Sequence, residues 1–369
     1  MVKKCYAKSV FLHIVGIVAV LPVLGAGQAR ANLMIMPVYG VDITPAARTV
    51  IDSAIKFYTD NFTGNTSVVL GFGLQPGGGA SATQYNNTFS YTSVLTALKA
   101  NQTESATDVS ALASLPATAP IGKGQVQATS TLAAQLGLRT PMIAAVWTGD
   151  FCSGTMNACI AYNPNYISGG KANGPADGLF GVTQHEINEV LGTPSALTGS
   201  VTPDVVTVAD LFRYAAAGVR SFSTNASSPG GSCATNTPVA YLSVNGGTTN
   251  LVGYNNCANG GDYGDFAIEG TRKPQDYASN ESNPSALTLS SSETLLLDAA
   301  GWNIGLNAVV AVGSLAPTDS PVLGTSLTTE GGADDGDPAF AIAVPEPGTL
   351  TLLGVGLAAT TLRGRRKQG

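Results

Sequence analysis

Residues 184–192, which read QHEINEVLG, constrain the fold of this chain more than any other stretch. Apolar residues recur around them at helical spacing, and Gly192 suits the left-handed position that follows many helices. Pro194 then occupies a position where a helix does not continue. We therefore predict a packed helix that begins near Gly178–Leu179 and ends at Leu191.

The predicted helix carries the pattern H-E-x-x-E at His185, Glu186 and Glu189. Residues four apart lie on one helix face, so His185 and Glu189 are placed to bind one metal ion together. Glu186 lies beside them, where it can act as general base toward a metal-activated water. The better-known pattern has histidine at the position of Glu189. Zn²⁺ is the expected ion, and because the replacement makes the site more anionic, it shifts the preference toward harder ions such as Mn²⁺ or Fe²⁺.

Residues 1–31 have the three-part layout of a secretory signal peptide. Lysines precede an apolar run, and a small-x-small cleavage site ends at Ala31. We expect signal peptidase to cut there; a membrane anchor is the alternative, although the run is short for a spanning helix. His13, the one histidine in the chain besides His185, leaves with this segment.

A second three-part signal occupies residues 344–369. A motif built on Pro345, Glu346 and Pro347 precedes an apolar run and a basic cluster. This layout resembles the PEP-CTERM sorting signal of exopolysaccharide-producing Gram-negative bacteria. The resemblance implies export across the inner membrane, transient anchoring, and removal of the tail by an exosortase-type transpeptidase at the cell surface or matrix. A plain C-terminal anchor is the alternative.

The composition between the two signals argues against a nucleic-acid partner. The remaining chain has 10 basic and 23 acidic residues, which gives a net charge near −13. A body this acidic is repelled by nucleic acid and by anionic lipid.

Four cysteines remain after signal removal, and an even count in an exported chain favours two disulfides. Proximity in sequence favours the pairs Cys152–Cys159 and Cys233–Cys257. A four-cysteine zinc site is the rival interpretation, but such sites usually contain C-x-x-C pairs, which this chain lacks.

Residues 32–304 are predicted to form one domain, and residues 305–343 a flexible Gly/Ser/Asp-rich spacer. Local patterns within the domain predict a helix that begins after Thr44, helices at 95–99 and 129–136, and a helix that begins with a capping box at Ser290–Glu293. They also predict strands at 66–72, 141–147 and 158–162, and a hairpin at 241–252 that turns at Asn245-Gly246.

A sheet followed by a metal-binding helix resembles the order of elements in zincin proteases. The resemblance implies an α+β fold, with a mixed sheet, an active-site helix and a mostly irregular or helical C-terminal subdomain. In such folds an edge strand just before the helix binds the substrate peptide. Cys159–Tyr162 is the candidate for that role, and an ordinary core strand is the alternative.

The third metal ligand is not marked by a motif. One class of zincins takes an acidic ligand some two dozen residues after the histidine, which points to Asp210, with Asp204 as runner-up. A pairing of Asp210 with Arg213 is the structural alternative. Tyr214 is the candidate hydrogen-bond donor to the transition state.

The motif, together with Asp210–Tyr214, the hairpin, Gly261–Asp265 and Leu297–Trp302, resembles a family of PEP-CTERM-bearing metalloproteases with an H-E-I-x-E-V-L-G motif. The resemblance covers most of residues 40–304 and implies a zinc-dependent secreted peptidase that acts on protein or peptide. Two alternatives stay open: an inactive zincin-fold protein of the surface or exopolysaccharide matrix, and a non-proteolytic hydrolase or glycan-binding module. The turn-rich loop Gly261–Asp265 is also a weak candidate for calcium binding, because it lacks the regular spacing of oxygen ligands.

Overall fold

The computed structural model describes residues 31–64, 66–75, 79–103, 105–138, 152, 156–168, 175–197, 203–224, 240–255, 262–267, 273–276 and 286–305, without the side chains of 168 and 175–177. The chain divides into two compact units, Met1–Pro317 and Thr318–Gly369, and every described residue belongs to the first. The bulk of the predicted signal peptide, the strand at 141–147, the pair Cys233–Cys257, nearly all of the spacer and the sorting tail lie outside the described residues.

The described part of the chain is a mixed α+β structure. Its helices are α1 (Pro45–Asn61), α2 (Tyr91–Asn101), α3 (Ala106–Ser114), α4 (Ser130–Gln135), α5 (Pro164–Ser168), α6 (Pro175–Leu191) and α7 (Ser292–Ala300), with a 3₁₀ turn at Ala209–Phe212. Its strands are β1 (Ala31–Asn32), β2 (Met34–Tyr39), β3 (Thr63–Gly64), β4 (Ser67–Leu74), β5 (Ala80–Gln84), β6 (Asn86–Ser90), β7 (Gln125–Thr129), β8 (Ala158–Tyr162), β9 (Val205–Thr207), β10 (Arg213–Ala216), β11 (Val219–Arg220), β12 (Tyr241–Leu242) and β13 (Val252–Gly253).

Within the described residues the largest sheets have four strands, and one of them has the order β2-β4-β8-β5. Strands β2, β4 and β8 are parallel, whereas β5 runs antiparallel to β8 with Ala82 opposite Ile160. Every residue of β8 is buried, as expected for a strand with neighbours on both sides. The prediction that Cys159–Tyr162 forms a substrate-binding edge is therefore wrong, because β5 lies between β8 and the edge. Among the described strands, β5 pairs only with β8.

Helix α1 confirms the predicted cap at Thr44. The Thr44 side chain accepts a hydrogen bond from the Ala47 amide, and Pro45 occupies the first turn. Tyr58, on its buried face, is 0% exposed and donates to the Gln184 carbonyl (2.9 Å) and to Asn188 Oδ1 (2.7 Å). A buried tyrosine hydroxyl needs such partners, so the contact fixes α1 against α6.

The C-terminus of α6 is held by side chains from three other segments of the chain. Helix ends leave their last carbonyls without intrahelical partners. Here Gln84 donates to the Glu189 carbonyl (3.1 Å), Thr131 to the Val190 carbonyl, and the Trp302 indole to the Leu191 carbonyl (2.6 Å). The end of the helix is thus fixed at Glu189, the last residue of the H-E-x-x-E pattern.

Gly192 confirms the predicted helix stop. Its φ is +129°, and a Cβ there would lie 2.7 Å from Leu132 Cδ2, so only glycine fits. The helix begins at Pro175, earlier than the predicted start near Gly178–Leu179.

The predicted capping box at Ser290–Glu293 is wrong. Helix α7 starts one residue later, with Ser291 as N-cap and no side-chain capping bond. Glu293 is instead 0% exposed and accepts a hydrogen bond from the Gln275 amide (3.3 Å). Burial against a remote segment has replaced the local capping role.

Strands β12 and β13 form the predicted hairpin, with Leu242 opposite Val252. Its turn is centred one residue later than predicted, because Gly246 (φ +72°) and Gly247 (φ +83°) both adopt left-handed conformations. The Thr248 amide donates to the Asn245 carbonyl across them (3.4 Å).

The disulfide Cys152–Cys159 is present as predicted. Among the described residues no helix is both long and apolar enough to cross a bilayer.

Candidate metal centre

Helix α6 presents His185 and Glu189 on the same face, one turn apart. His185 Nε2 lies 3.3 Å from Glu189 Oε1, and the two side chains are 12% and 17% exposed. The helix therefore brings an imidazole nitrogen and a carboxylate oxygen to one partly accessible point.

A third side chain reaches this point from the loop Asp262–Asp265. Asp265 Oδ1 lies 3.5 Å from His185 Nε2. One donor atom from each of His185, Glu189 and Asp265 lies within 4.8 Å of the other two. One imidazole and two carboxylates make a donor set that suits a catalytic zinc ion or a somewhat harder divalent ion.

His185 is oriented by its second ring nitrogen. Nδ1 lies 2.8 Å from the Pro274 carbonyl oxygen. Because a carbonyl only accepts, Nδ1 carries the proton and donates, and in the neutral ring Nε2 is left with its lone pair toward Glu189 and Asp265. Metal-binding histidines usually have such a partner on the other nitrogen, so this contact supports the fit of a metal ion.

The loop that carries Asp265 is held against the end of α6. A Cβ on Gly264 would lie 2.8 Å from both the Ser195 amide and the Thr193 carbonyl, so the backbones touch. Within the loop, the Asp262 amide donates to Asp265 Oδ2 (2.9 Å). Arg213 donates to the Tyr263 carbonyl (2.5 Å), which ties β10 to the same loop.

Negative charge is in excess at this group. Burial raises the pKa of Asp265 to about 6, and Glu189 adds to the effect while His185 opposes it. Burial lowers the pKa of His185, but Asp265 and then Glu189 outweigh it, and the net result is a pKa well above the ordinary value. A divalent cation would relieve the repulsion among these carboxylates, which is a second argument that the group fits a metal.

Glu186 lies beside the three donors and is itself buried, at 3% exposure. Burial, followed by the charge of Glu189, raises the pKa of Glu186 well above its ordinary range. Its Oε2 has no hydrogen-bond partner among the described residues. A buried carboxylate oxygen without a partner is costly, and here it belongs to the residue predicted as general base.

Asp210, the ligand predicted from spacing, lies outside this group. Its Oδ2 accepts from the amides of Thr207 (2.9 Å) and Ala196 (3.1 Å), and its Oδ1 accepts from Ser195 Oγ (2.7 Å). These bonds engage both carboxylate oxygens, and Asp210 thereby joins the segment after α6 to the 3₁₀ turn. Asp265 takes the third position instead.

The runner-up ligand, Asp204, and the candidate transition-state donor, Tyr214, also lie elsewhere. Asp204 forms an exposed ion pair with Lys123 (2.5 Å). The Tyr214 hydroxyl donates to Ser114 Oγ (3.2 Å), and its ring lies under Arg220. The bonds of Tyr214 thus connect β10 to the end of α3 rather than to His185.

The sequence did contain one signal for Asp265. The run Gly261–Asp265 is a turn rich in glycine and aspartate, and it belongs to the segments that resemble the metalloprotease family, but its ligand spacing predicts no zinc ligand. The described part of this turn brings Asp265 to His185 and Glu189 on α6. No rule of ligand spacing predicts this contact, because the two segments are about 80 positions apart.

Comparison with known proteins identifies only the C-terminal signal. Searches of curated proteins and of solved structures returned no significant match. A PEP-CTERM sorting motif marks an exported protein that reaches the cell surface or the medium and is processed at its C-terminus by an exosortase. Residues 343–367 match the family model of the PEP-CTERM protein-sorting motif.

Proposed function

We propose that this exported protein is a metal-dependent peptidase whose metal ligands are His185, Glu189 and Asp265. The observation that carries the proposal is the convergence of these donors beside Glu186, a buried carboxylate whose Oε2 has no hydrogen-bond partner among the described residues. When bound, a divalent ion at such a site polarises a water molecule and a substrate carbonyl.

The residues of the chain have distinct tasks in this proposal. His185 and Glu189 hold the ion on the rigid helix, and Asp265 completes the set. Glu186 accepts the proton of the attacking water and passes it to the leaving amine, a transfer for which a raised pKa is suited. Only Glu186 therefore has to change its protonation state during the reaction.

Among the described strands, one sheet edge lies open to an extended peptide next to this site. Strand β5 pairs only with β8 among the described strands, and its last residue, Gln84, donates to the Glu189 carbonyl (3.1 Å). A peptide added to β5 would form main-chain hydrogen bonds within reach of α6. This placement favours a peptide over a sugar or a small ester.

Exchange of Glu186 for glutamine tests the catalytic role. Glu186→Gln keeps the size of the side chain and removes the base, so Zn²⁺ should still bind at close to one ion per chain. Cleavage of casein should fall by at least about 10²-fold, the usual contribution of a general base. Equal cleavage by wild type and Glu186→Gln would refute the peptidase mechanism. Failure of wild type to bind metal or cleave would favour a structural or binding protein of the matrix.

A pair of aspartate variants tests the ligand set. Asp265→Asn should weaken Zn²⁺ binding strongly, because the amide is a poorer ligand than the carboxylate. Asp210→Asn should destabilise the fold through its hydrogen bonds to Ala196 and Thr207, with Zn²⁺ affinity retained. The reverse pattern in a chelator-competition titration would return Asp210 to the site and contradict the geometry.

A further inference from the structure

The segment Lys273–Asp276 contacts two of the three proposed ligands. The Pro274 carbonyl accepts from His185 Nδ1 (2.8 Å), although the two residues are 89 positions apart. Gln275, the next residue, donates from Nε2 to Asp265 Oδ1 (3.2 Å). One short segment therefore touches a ligand from α6 and a ligand from the 262–265 loop.

Gln275 is itself fixed on every side. Its side chain is 1% exposed, and its Oε1 accepts from Thr193 Oγ1 (3.4 Å). Its backbone amide donates to Glu293 Oε1 (3.3 Å), and its carbonyl accepts from the Phe266 amide (2.8 Å). The ionised Asp265 carboxylate only accepts hydrogen bonds, so it determines which end of the amide is the donor, and Nε2 faces Asp265.

We propose that Gln275 is a positioning residue that holds the Asp265 carboxylate toward His185 and Glu189 for metal binding. The proposal rests on the proposed function. A hydrogen bond to Oδ1 fixes the rotation of the carboxylate, and together with the Asp262 amide on Oδ2 it restrains both oxygens. Loss of a hydrogen bond to a metal ligand typically weakens metal binding about 10- to 100-fold.

The experiment compares Gln275→Met with Gln135→Met in the full chain. Methionine keeps the length of glutamine and removes the amide. Gln135 is also 1% exposed and donates to the Gly301 carbonyl (3.0 Å), so its replacement costs a comparable buried bond away from the site. Zn²⁺ affinity is measured by competition with a chelating dye. We expect about a 10- to 100-fold loss for Gln275→Met and wild-type affinity for Gln135→Met.

A second readout separates positioning of Asp265 from general loosening of the segment. With His13→Gln as background, His185 is the only histidine, and ¹⁵N imidazole spectra of the metal-free chain report its protonation. Gln275→Met leaves the Pro274 carbonyl in place, so the Nδ1–H signal should match wild type. Loss of that signal would overturn the assignment, because Gln275 would then only hold the segment together.

The remaining outcomes are distinguishable. Tight Zn²⁺ binding by wild type and equal binding by Gln275→Met would overturn the positioning role and leave the proposed site intact. Absence of binding in wild type and in Gln135→Met would overturn both. If Gln275→Met fails to fold, Gln275→Asn replaces it: its amide is one methylene too short to reach Asp265 and should give the same loss of affinity.

Discussion

Glu293 allows a quantitative test of how burial sets charge in this fold. The side chain is 0% exposed, its Oε1 accepts from the Gln275 amide (3.3 Å), and its Oε2 has no partner among the described residues. Burial raises its pKa from the ordinary 4.5 to about 7, although hydrogen bonds from backbone amides oppose the shift. The folded protein therefore favours the protonated, neutral form of this acid.

The sign of the effect on stability follows from that direction. Stability from Glu293 is fully present below pH 4.5, the unfolded value, and is lost as pH rises through about 7. Each pKa unit corresponds to about 1.4 kcal/mol, so ionisation of Glu293 costs the folded state on the order of 3 kcal/mol by pH 8. Full burial means that solvent screening does not reduce this figure much.

Glu293→Gln removes the ionisation and keeps an oxygen for the Gln275 amide. We expect the stability of the variant relative to wild type to rise by about 2 to 3 kcal/mol from pH 5 to pH 8, because a small part of the loss is already present at pH 5. Urea unfolding of the metal-free proteins at both pH values measures this difference, and the other acids titrate in both proteins and cancel. Parallel stability curves for the two proteins would refute the reasoning, since they would mean that Glu293 ionises without cost.

Two further predictions concern the metal centre. Gly264→Ala should weaken Zn²⁺ binding at least about tenfold, because the added Cβ would lie 2.8 Å from the Thr193 carbonyl oxygen. Gly122→Ala is the control, because no atom lies within 4 Å of its added Cβ. Equal Zn²⁺ affinities of the two variants would contradict the packing argument. Zn²⁺ binding near pH 6.5 should release protons, because the pKa of His185 is raised and a ligand must be deprotonated; a binding heat independent of the buffer would exclude this.

Local signals predicted the local structure well. The end of α6 could be predicted because Gly192 is the residue that tolerates φ +129°, and the start of α1 because Thr44 caps the Ala47 amide. The proximity of His185 and Glu189 follows from helix geometry alone. Each of these features depends on residues within one or two turns, so the sequence pattern contains the physics that determines it.

Long-range packing determined what sequence spacing could not predict. Asp265 reaches His185 because Gly264 lets its loop touch the backbone of Thr193, which is a property of two segments about 70 residues apart. The edge position belongs to β5 rather than β8 because β5 pairs with β8 at the outer side of the sheet. No periodicity in either strand encodes which neighbour it acquires.

The glutamate that replaces the second histidine can be understood from the charge of the whole group. In the proposed site, Glu189 and Asp265 together balance a divalent ion, whereas two histidines and one carboxylate would leave a positive charge. A neutral site acidifies bound water less, so more of the work falls to the base. Glu186 is buried with a raised pKa and a free oxygen, which makes it a stronger base than an exposed glutamate. A glutamate at position 189 and the burial of Glu186 are therefore compatible features of the proposed catalytic site.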